Sequence, residues 1–207
     1  LEEGTITVED LMNDYSPRAM AIAEEYLKAM KPNIAGWEVD FGKEMMTKNK
    51  AWINMTWSVD AVWAIEEAEA VGVDLDYVVP KEGSNIWYDG WVIPKYARNR
   101  KAASYFINYM CRSDIALRNM DEIGYVSAVA TAEILEEKID ETLDYYSDLS
   151  YLFGPEADSV QVDRIQYPDK SVVERCAMIR DFGDKTEEVL EIWSRVKGDN
   201  LGVGITL

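Results

Sequence analysis

Histidine is absent from this 207-residue chain, and cysteine occurs only twice. Without an imidazole, the chain cannot form a Ser-His catalytic pair, a common zinc site or a histidine pH switch. Cys111 and Cys176 lie far apart, in no metal-binding spacing, so they can pair only if the fold brings them together. We therefore expect no catalytic residues, no metal and no cofactor.

Long apolar runs are missing too, and none approaches the roughly 20 residues that span a bilayer. The first ten residues do not have the pattern of a signal peptide, so a secreted form would have lost its signal, or the chain is an excised piece. Basic residues are scarce: 21 Lys and Arg face 39 Asp and Glu, a net charge of −18. This charge disfavours nucleic acid as a partner and suits a cationic ligand, although acidity also serves solubility.

The composition that remains is that of a globular protein. Hydrophobic residues make up 48% of the chain and charged residues 29%, which is enough to bury a core in one domain or in two small lobes. Apolar runs of strand length alternate with helical patterns. This alternation predicts a layered α/β fold.

Residues 51–94 contain most of the tryptophans and the clearest pattern of predicted strands and helix. Three short apolar runs in this stretch predict strands: 51–57, 76–80 and 85–94. Between the first two, Ser58 is expected to cap a helix that carries Asp60 in its first turn and ends at Gly72.

Outside that stretch, apolar spacing predicts further helices. They are expected at residues 17–30, 98–111, 114–123, 131–148, 171–180 and 185–197. Ser113 is expected to cap the third of them and Gly124 to close it. Residues 149–169 are predicted to form a long acidic loop.

The run 85–94 also contains the first candidate site. Side chains alternate in a strand, so Trp87 and Asp89 would share a face. An indole beside a carboxylate can hold an organic cation, one group by its π face and the other by its charge. A structural alternative stays open, in which Trp87 belongs to the core and Asp89 accepts hydrogen bonds near a turn.

Four motifs occur in a set order: WSVDAVWAIEE, YVVPKEGSN, IWYDGWVIP and IGYVSA. Together they resemble the spermidine/putrescine-binding proteins of bacterial polyamine ABC importers, from about Val8 to the C-terminal helix. The resemblance implies a bilobal fold of the periplasmic-binding-protein type II kind. By similarity, residues 1–84 and 134–207 would belong to the C-terminal lobe, and residues 85–133 would be the returning part of the N-terminal lobe. The chain would then be a fragment that lacks the N-terminal part.

The same resemblance implies a ligand site between the lobes. Trp57, Trp87 and Tyr125 match aromatic walls of the family's cleft, and Asp89 matches a carboxylate that fixes an ammonium group. Asp60 could strengthen the field there or serve only the helix dipole. Ile179 lies about where the family has a glutamine.

The function implied is that of a solute-binding component and not of an enzyme. Its partners would be a polyamine, a membrane permease and an ATPase, and its location would be extracytoplasmic, in the periplasm or at the cell surface as a lipoprotein. The oligomeric state is not readable from the sequence. Two alternatives stay open: the same fold with another small solute, and a glycosidase that uses two carboxylates beside a tryptophan-lined cleft.

Overall fold

The computed structural model describes residues 6–37 and 41–198. Its α-helices are α1 (Val8–Met12), α2 (Pro17–Met30), α3 (Gly42–Thr47), α4 (Ser58–Ala70), α5 (Arg100–Met110), α6 (Ser113–Ile123), α7 (Ala132–Lys138), α8 (Ser150–Phe153), α9 (Lys170–Val173) and α10 (Thr186–Gly198). Short 3-10 turns lie at Lys31–Asn33, Pro155–Ala157 and Gly183–Lys185. Two short strands, β1 (Ser84–Asn85) and β2 (Cys176–Ala177), pair with each other. Within the described helices, none is long and apolar enough to cross a membrane.

The chain divides into two compact units. The first unit comprises residues 1–38, 85–87 and 176–207, and the second comprises residues 39–84 and 88–175. The predicted lobes, with boundaries after residues 84 and 133, refer to the whole family fold, which these units do not test. That division stays a prediction.

The first unit is held together by an ion pair between α2 and α10. The guanidinium of Arg195 donates two hydrogen bonds to the Glu24 carboxylate, each of 2.8 Å, and Lys28 adds a third contact at 2.8 Å. Helix α2 begins as predicted, since the Ser16 hydroxyl accepts from the amide of Ala19 and Pro17 takes the first helical position.

A second set of hydrogen bonds joins α1 to the segment after β2. The Asn13 side chain donates to the Met178 carbonyl at 2.9 Å and accepts from the Arg180 amide at 2.7 Å. The Tyr15 hydroxyl donates to the Arg180 carbonyl at 3.0 Å. These bonds place α1 beside a segment 165 residues later in the chain.

The second unit has a two-part core. Ala116, Met120 and Ile134 form one buried cluster, and Leu149, Ala157, Val162 and Tyr167 form the other. Val126 and Phe153 pack against both clusters. The residue that follows Tyr125 is therefore anchored in the core of the unit.

Helices were predicted better than strands. The helices expected over 17–30, 98–111, 114–123 and 185–197 are present within about two residues, and Gly124 ends α6 in a left-handed conformation. Ser58 and Ser113 are the first helical residues and not the caps, which are Trp57 and Arg112. The fold class is α/β, as predicted, although the described residues hold little sheet.

The three predicted strands are corrected: of residues 51–57, 76–80 and 85–94, only Asn85 lies in a ladder. Over 73–80 the side chains still alternate between half-buried and exposed, as they do in a strand. A strand also needs a partner for its backbone, and here the Arg175 side chain donates to the carbonyls of Val79 and Pro80 at 3.4 and 3.2 Å.

Two helix predictions were too long. The one from Thr131 stops at Lys138, because Asp140 accepts from the amide and hydroxyl of Thr142 in a local turn that competes with helix. The one over 171–180 ends at Val173, and β2 follows. The predicted loop 149–169 in fact contains α8 and four buried core residues.

The ion pair of the first unit should make its stability depend on pH. Hydrogen bonds from Arg195 and Lys28 lower the pKa of Glu24 from 4.5 to about 2. The unfolded chain therefore takes up this proton first, so stability present above about pH 4.5 is lost as the pH falls toward 2. Substitution Glu24→Gln should lower the melting temperature at pH 6 and flatten its decline between those pH values, measured by circular dichroism.

The matched control is Glu25→Gln, at an exposed position next along α2. It removes the same charge without breaking the contact to Arg195. If both variants gave the same pH profile, the ion pair would not be the cause.

Candidate functional site

The candidate site is built around Tyr125, which follows the end of α6. Gly124 closes that helix with φ of 76°, and its amide donates to the Met120 carbonyl at 2.8 Å. Its own carbonyl accepts from the Gln166 side chain at 3.1 Å. With Val126 packed in the core on the other side, the backbone of Tyr125 is held at both ends.

A close contact then brings this turn to the start of α4. A Cβ atom built on Gly124 would lie 2.2 Å from Cγ2 of Val59. Val59 is the second residue of α4, between Trp57, which caps the helix, and Asp60 in its first turn. The glycine therefore lets the Tyr125 turn approach the helix end that carries two of the sequence-derived candidates.

The pKa of the Tyr125 phenol reflects its burial and the charges that act on it. Burial raises the pKa of its phenol, and the nearby charges of Asp60 and Asp89 raise it further, with a smaller effect of Tyr77. The charges of Asp60 and Asp89 thus both act on the half-buried phenol of Tyr125. That Asp89 and Tyr125 belong to one ligand site stays a prediction.

Asp60 has a cationic partner within the unit. The ammonium of Lys43 lies 2.6 Å from its carboxylate and 5.3 Å from the centre of the Trp63 ring. Only 14% of the Asp60 side chain is exposed. The Asp60 carboxylate thus pairs with a side-chain ammonium group that also lies over an indole ring.

The tryptophans of the prediction are partly exposed. Trp57 is 40% exposed, and its carbonyl accepts from the Ala61 amide at 3.1 Å as the first bond of α4. Trp87 is 37% exposed and belongs to the first unit, next to Ile86, whose amide donates to the Ala177 carbonyl at 3.0 Å. Neither indole is a buried core residue. Trp57, Asp89 and Tyr125 share the second unit, whereas Trp87 is fixed in the first.

Sequence reasoning missed two residues of this site, Tyr77 and Lys43. Tyr77 could have been found from the period-two pattern of residues 73–80, in which it falls on the half-buried side. Lys43 lies in α3, and no spacing in the sequence links it to Asp60.

The arrangement is suited to holding an ammonium group. Carboxylates supply charge and hydrogen-bond acceptors, and half-exposed aromatic rings can cover methylene groups and attract cations. Within the described part of the chain, no cluster of His, Cys, Asp and Glu has the form of a metal site.

Comparisons with known proteins show which family and which relatives the chain resembles. A sequence model of the family described as "Bacterial extracellular solute-binding protein" matches residues 5–143. The chain is 28% identical over 185 residues to the spermidine/putrescine-binding periplasmic protein of Salmonella typhimurium and 26% identical to that of Escherichia coli K12. Both alignments cover 89% of this chain and 46% of the relative. The chain thus spans about half the length of the relatives it matches.

A relative of different printed specificity and a solved structure also match. The putrescine/cadaverine-binding protein of Pseudomonas aeruginosa is 25% identical over 190 residues, which is 89% of this chain and 48% of that protein. The crystal structure of a spermidine/putrescine transporter substrate-binding protein of Streptococcus pneumoniae, solved with calcium and HEPES, superposes with a TM-score of 0.68 at 24% identity. The superposition covers 96% of this chain and 63% of that one, and it confirms the fold.

The close contact between Val59 and Gly124 predicts how much stability a substitution of Gly124 would cost. Substitution Gly124→Ala places a Cβ in the left-handed region, at a cost of about 1–2 kcal/mol. The overlap with Val59 should add about 1–3 kcal/mol more. Urea unfolding should show both effects as a lower midpoint.

The control is Gly72→Ala in the same unit, where φ is 74° and no atom lies within 4 Å of the added carbon. It should show the backbone cost alone. In a background that also carries Val59→Ala, the extra cost at Gly124 should vanish. Equal losses in the two single alanine variants would contradict the close contact.

Proposed function

The chain belongs to the bacterial extracellular solute-binding proteins, and from that premise we propose that it is part of the solute-binding component of an ABC importer that takes a polyamine. The observation that carries the proposal is the environment of Tyr125. Its phenol is half-buried beside the charges of Asp60 and Asp89. The relatives named above bind spermidine, putrescine or cadaverine according to their names, and all three are short chains with ammonium groups.

The roles proposed for the site residues follow from the ligand's chemistry. A polyamine alternates methylene segments, which prefer apolar surfaces, with ammonium groups, which need acceptors. Asp89 would receive an ammonium group, while the rings of Trp57 and Tyr125 cover the methylenes and attract the cation. By the resemblance alone, Trp87 would be a further ligand-binding residue. The overall charge of −18 would raise the local concentration of cations around the molecule.

The ion pair between Lys43 and Asp60 bears on the roles of the two carboxylates. The Lys43 ammonium lies on Asp60 and over the Trp63 ring, so an ion pair inside the unit combines the same kinds of groups that the proposal assigns to the ligand site. Because Lys43 compensates much of the charge of Asp60, we assign Asp60 only a supporting role in ligand recognition.

The remaining parts of the proposal concern the assembly. A membrane permease and an ATPase would be the partners, and the protein would act outside the cytoplasm, in the periplasm or at the cell surface as a lipoprotein. We propose no catalytic activity for the chain itself, because binding and release of an unchanged solute are all that such a component requires. Clamping between two lobes would couple binding to closure.

The test is calorimetric titration of the chain with spermidine and with putrescine, at matched ionic strength and with magnesium as the control cation. Saturable binding that depends on amine length and that magnesium does not reproduce is expected. Magnesium competing as well as spermidine would mean that the amines neutralise charge without occupying a site.

Asp89→Asn should weaken spermidine binding by about 10- to 100-fold, because it removes a charge-assisted hydrogen bond and keeps the shape. The matched control is Asp74→Asn, which removes the same charge from an exposed position of the second unit. If the two variants lost affinity equally, net charge alone would attract the ligand, contrary to a site at Asp89.

A further inference from the structure

The first unit contains a cavity that the polyamine site does not use. It is half open to solvent, lies among α1, α2, α10 and Phe182, and has a volume of about 360 Å³. An engineered apolar cavity of about 150 Å³ is enough to bind benzene. The cavity therefore has room for a ring with a short side chain.

The walls of the cavity are apolar. Met20, Leu27 and Ile192 contribute aliphatic surface, and the rings of Tyr15, Phe182 and Trp193 contribute aromatic surface. Ligand pockets of about 300–1,000 Å³ are typically lined in this way, with a few polar groups that fix the orientation of the ligand.

The aromatic walls are held in place before any ligand arrives. The rings of Tyr15 and Phe182 meet edge to face with centres 5.1 Å apart, and the Tyr15 hydroxyl is fixed by the Arg180 carbonyl at 3.0 Å. Trp193 meets Trp37 edge to face at 5.0 Å. Because these side chains are already ordered, little binding free energy is lost to ordering them when a ligand binds.

A single carboxylate lies among the lining residues, that of Asp14. The Ser16 amide donates to it at 2.9 Å, and hydrogen bonds from Ser16 lower the pKa of Asp14. Lys197 holds its ammonium 4.7 Å from the centre of the ring of Trp193, another lining residue. A cationic group would therefore be attracted by Asp14 and repelled by the ammonium over the Trp193 ring.

We propose that this cavity binds a small amphiphilic monoamine, with a ring or branched apolar body against Trp193 and Phe182 and one ammonium group at Asp14. This class differs from a polyamine, which has charge at both ends and would place one ammonium group in apolar surroundings. The inference does not depend on the proposed function, because Asp14 and Ala23 have no part in the site at Tyr125.

Phenethylamine is the probe, since it joins one phenyl ring to one ammonium group. Titration of the full chain, followed by calorimetry and by ligand-observed NMR, should show one saturable site. The neutral 2-phenylethanol should bind about three- to fivefold more weakly, the contribution expected of an exposed charge pair. The anion 3-phenylpropionate should bind more weakly still. An alcohol that bound as well as the amine, or no saturable binding of the amine, would overturn the proposal.

Two alanines of α2 provide a matched pair of variants. Ala23 lines the cavity, whereas Ala21 does not, and both are exposed. Ala23→Phe should abolish phenethylamine binding, and Ala21→Phe should leave it unchanged. Circular dichroism verifies that both variants fold. Equal effects of the two would overturn the assignment to this cavity.

The charge is tested by Asp14→Asn, which keeps the acceptor for the Ser16 amide. It should remove the preference for the amine over the alcohol without weakening the alcohol. Spermidine should not displace phenethylamine, and Asp89→Asn should not change its affinity. Displacement by spermidine would mean that one site serves both ligands, and the proposal of a separate monoamine cavity would then be wrong.

Discussion

The contact between Val59 and Gly124 is the constraint on which the candidate site depends. A side chain at position 124 would occupy the space of the Val59 methyl group, and the left-handed conformation there turns the chain out of α6 directly into Tyr125. The same two residues therefore set how closely the end of α6 approaches the start of α4. Their packing thus positions the backbone that leads into Tyr125.

The residues that sequence reasoning located well are those with a local signal. Gly124 was predicted from its place after a helical pattern, and the helix of Asp60 from its apolar spacing. The strands were not located, because a strand is defined by its partner, and the alternation of residues 73–80 says nothing about the guanidinium that meets them. Lys43 was missed for a related reason. Its contact with Asp60 joins two helices, and the apolar spacing of neither helix indicates it.

The prediction of a loop over residues 149–169 was wrong for the same reason. Residues 149–169 have the acids, glycine and prolines of a loop, yet Leu149, Val162 and Tyr167 are fully or almost fully buried. Their burial is supported by backbone pairing at a distance, with Ser147 and Val160 exchanging hydrogen bonds of 2.8 and 3.0 Å. The composition of such a segment mainly reflects its solvent-exposed residues. It does not show that a few apolar residues on the other side complete a core begun by α6 and α7.

Arg175 has one more consequence. A row of uncommitted carbonyls is a template on which a strand from another molecule can assemble, and natural proteins commonly protect such edges with charged side chains. By binding the carbonyls of Val79 and Pro80, this guanidinium places a positive charge where an incoming strand would have to lie. The contact of Arg175 thus acts against edge-to-edge aggregation at Val79 and Pro80.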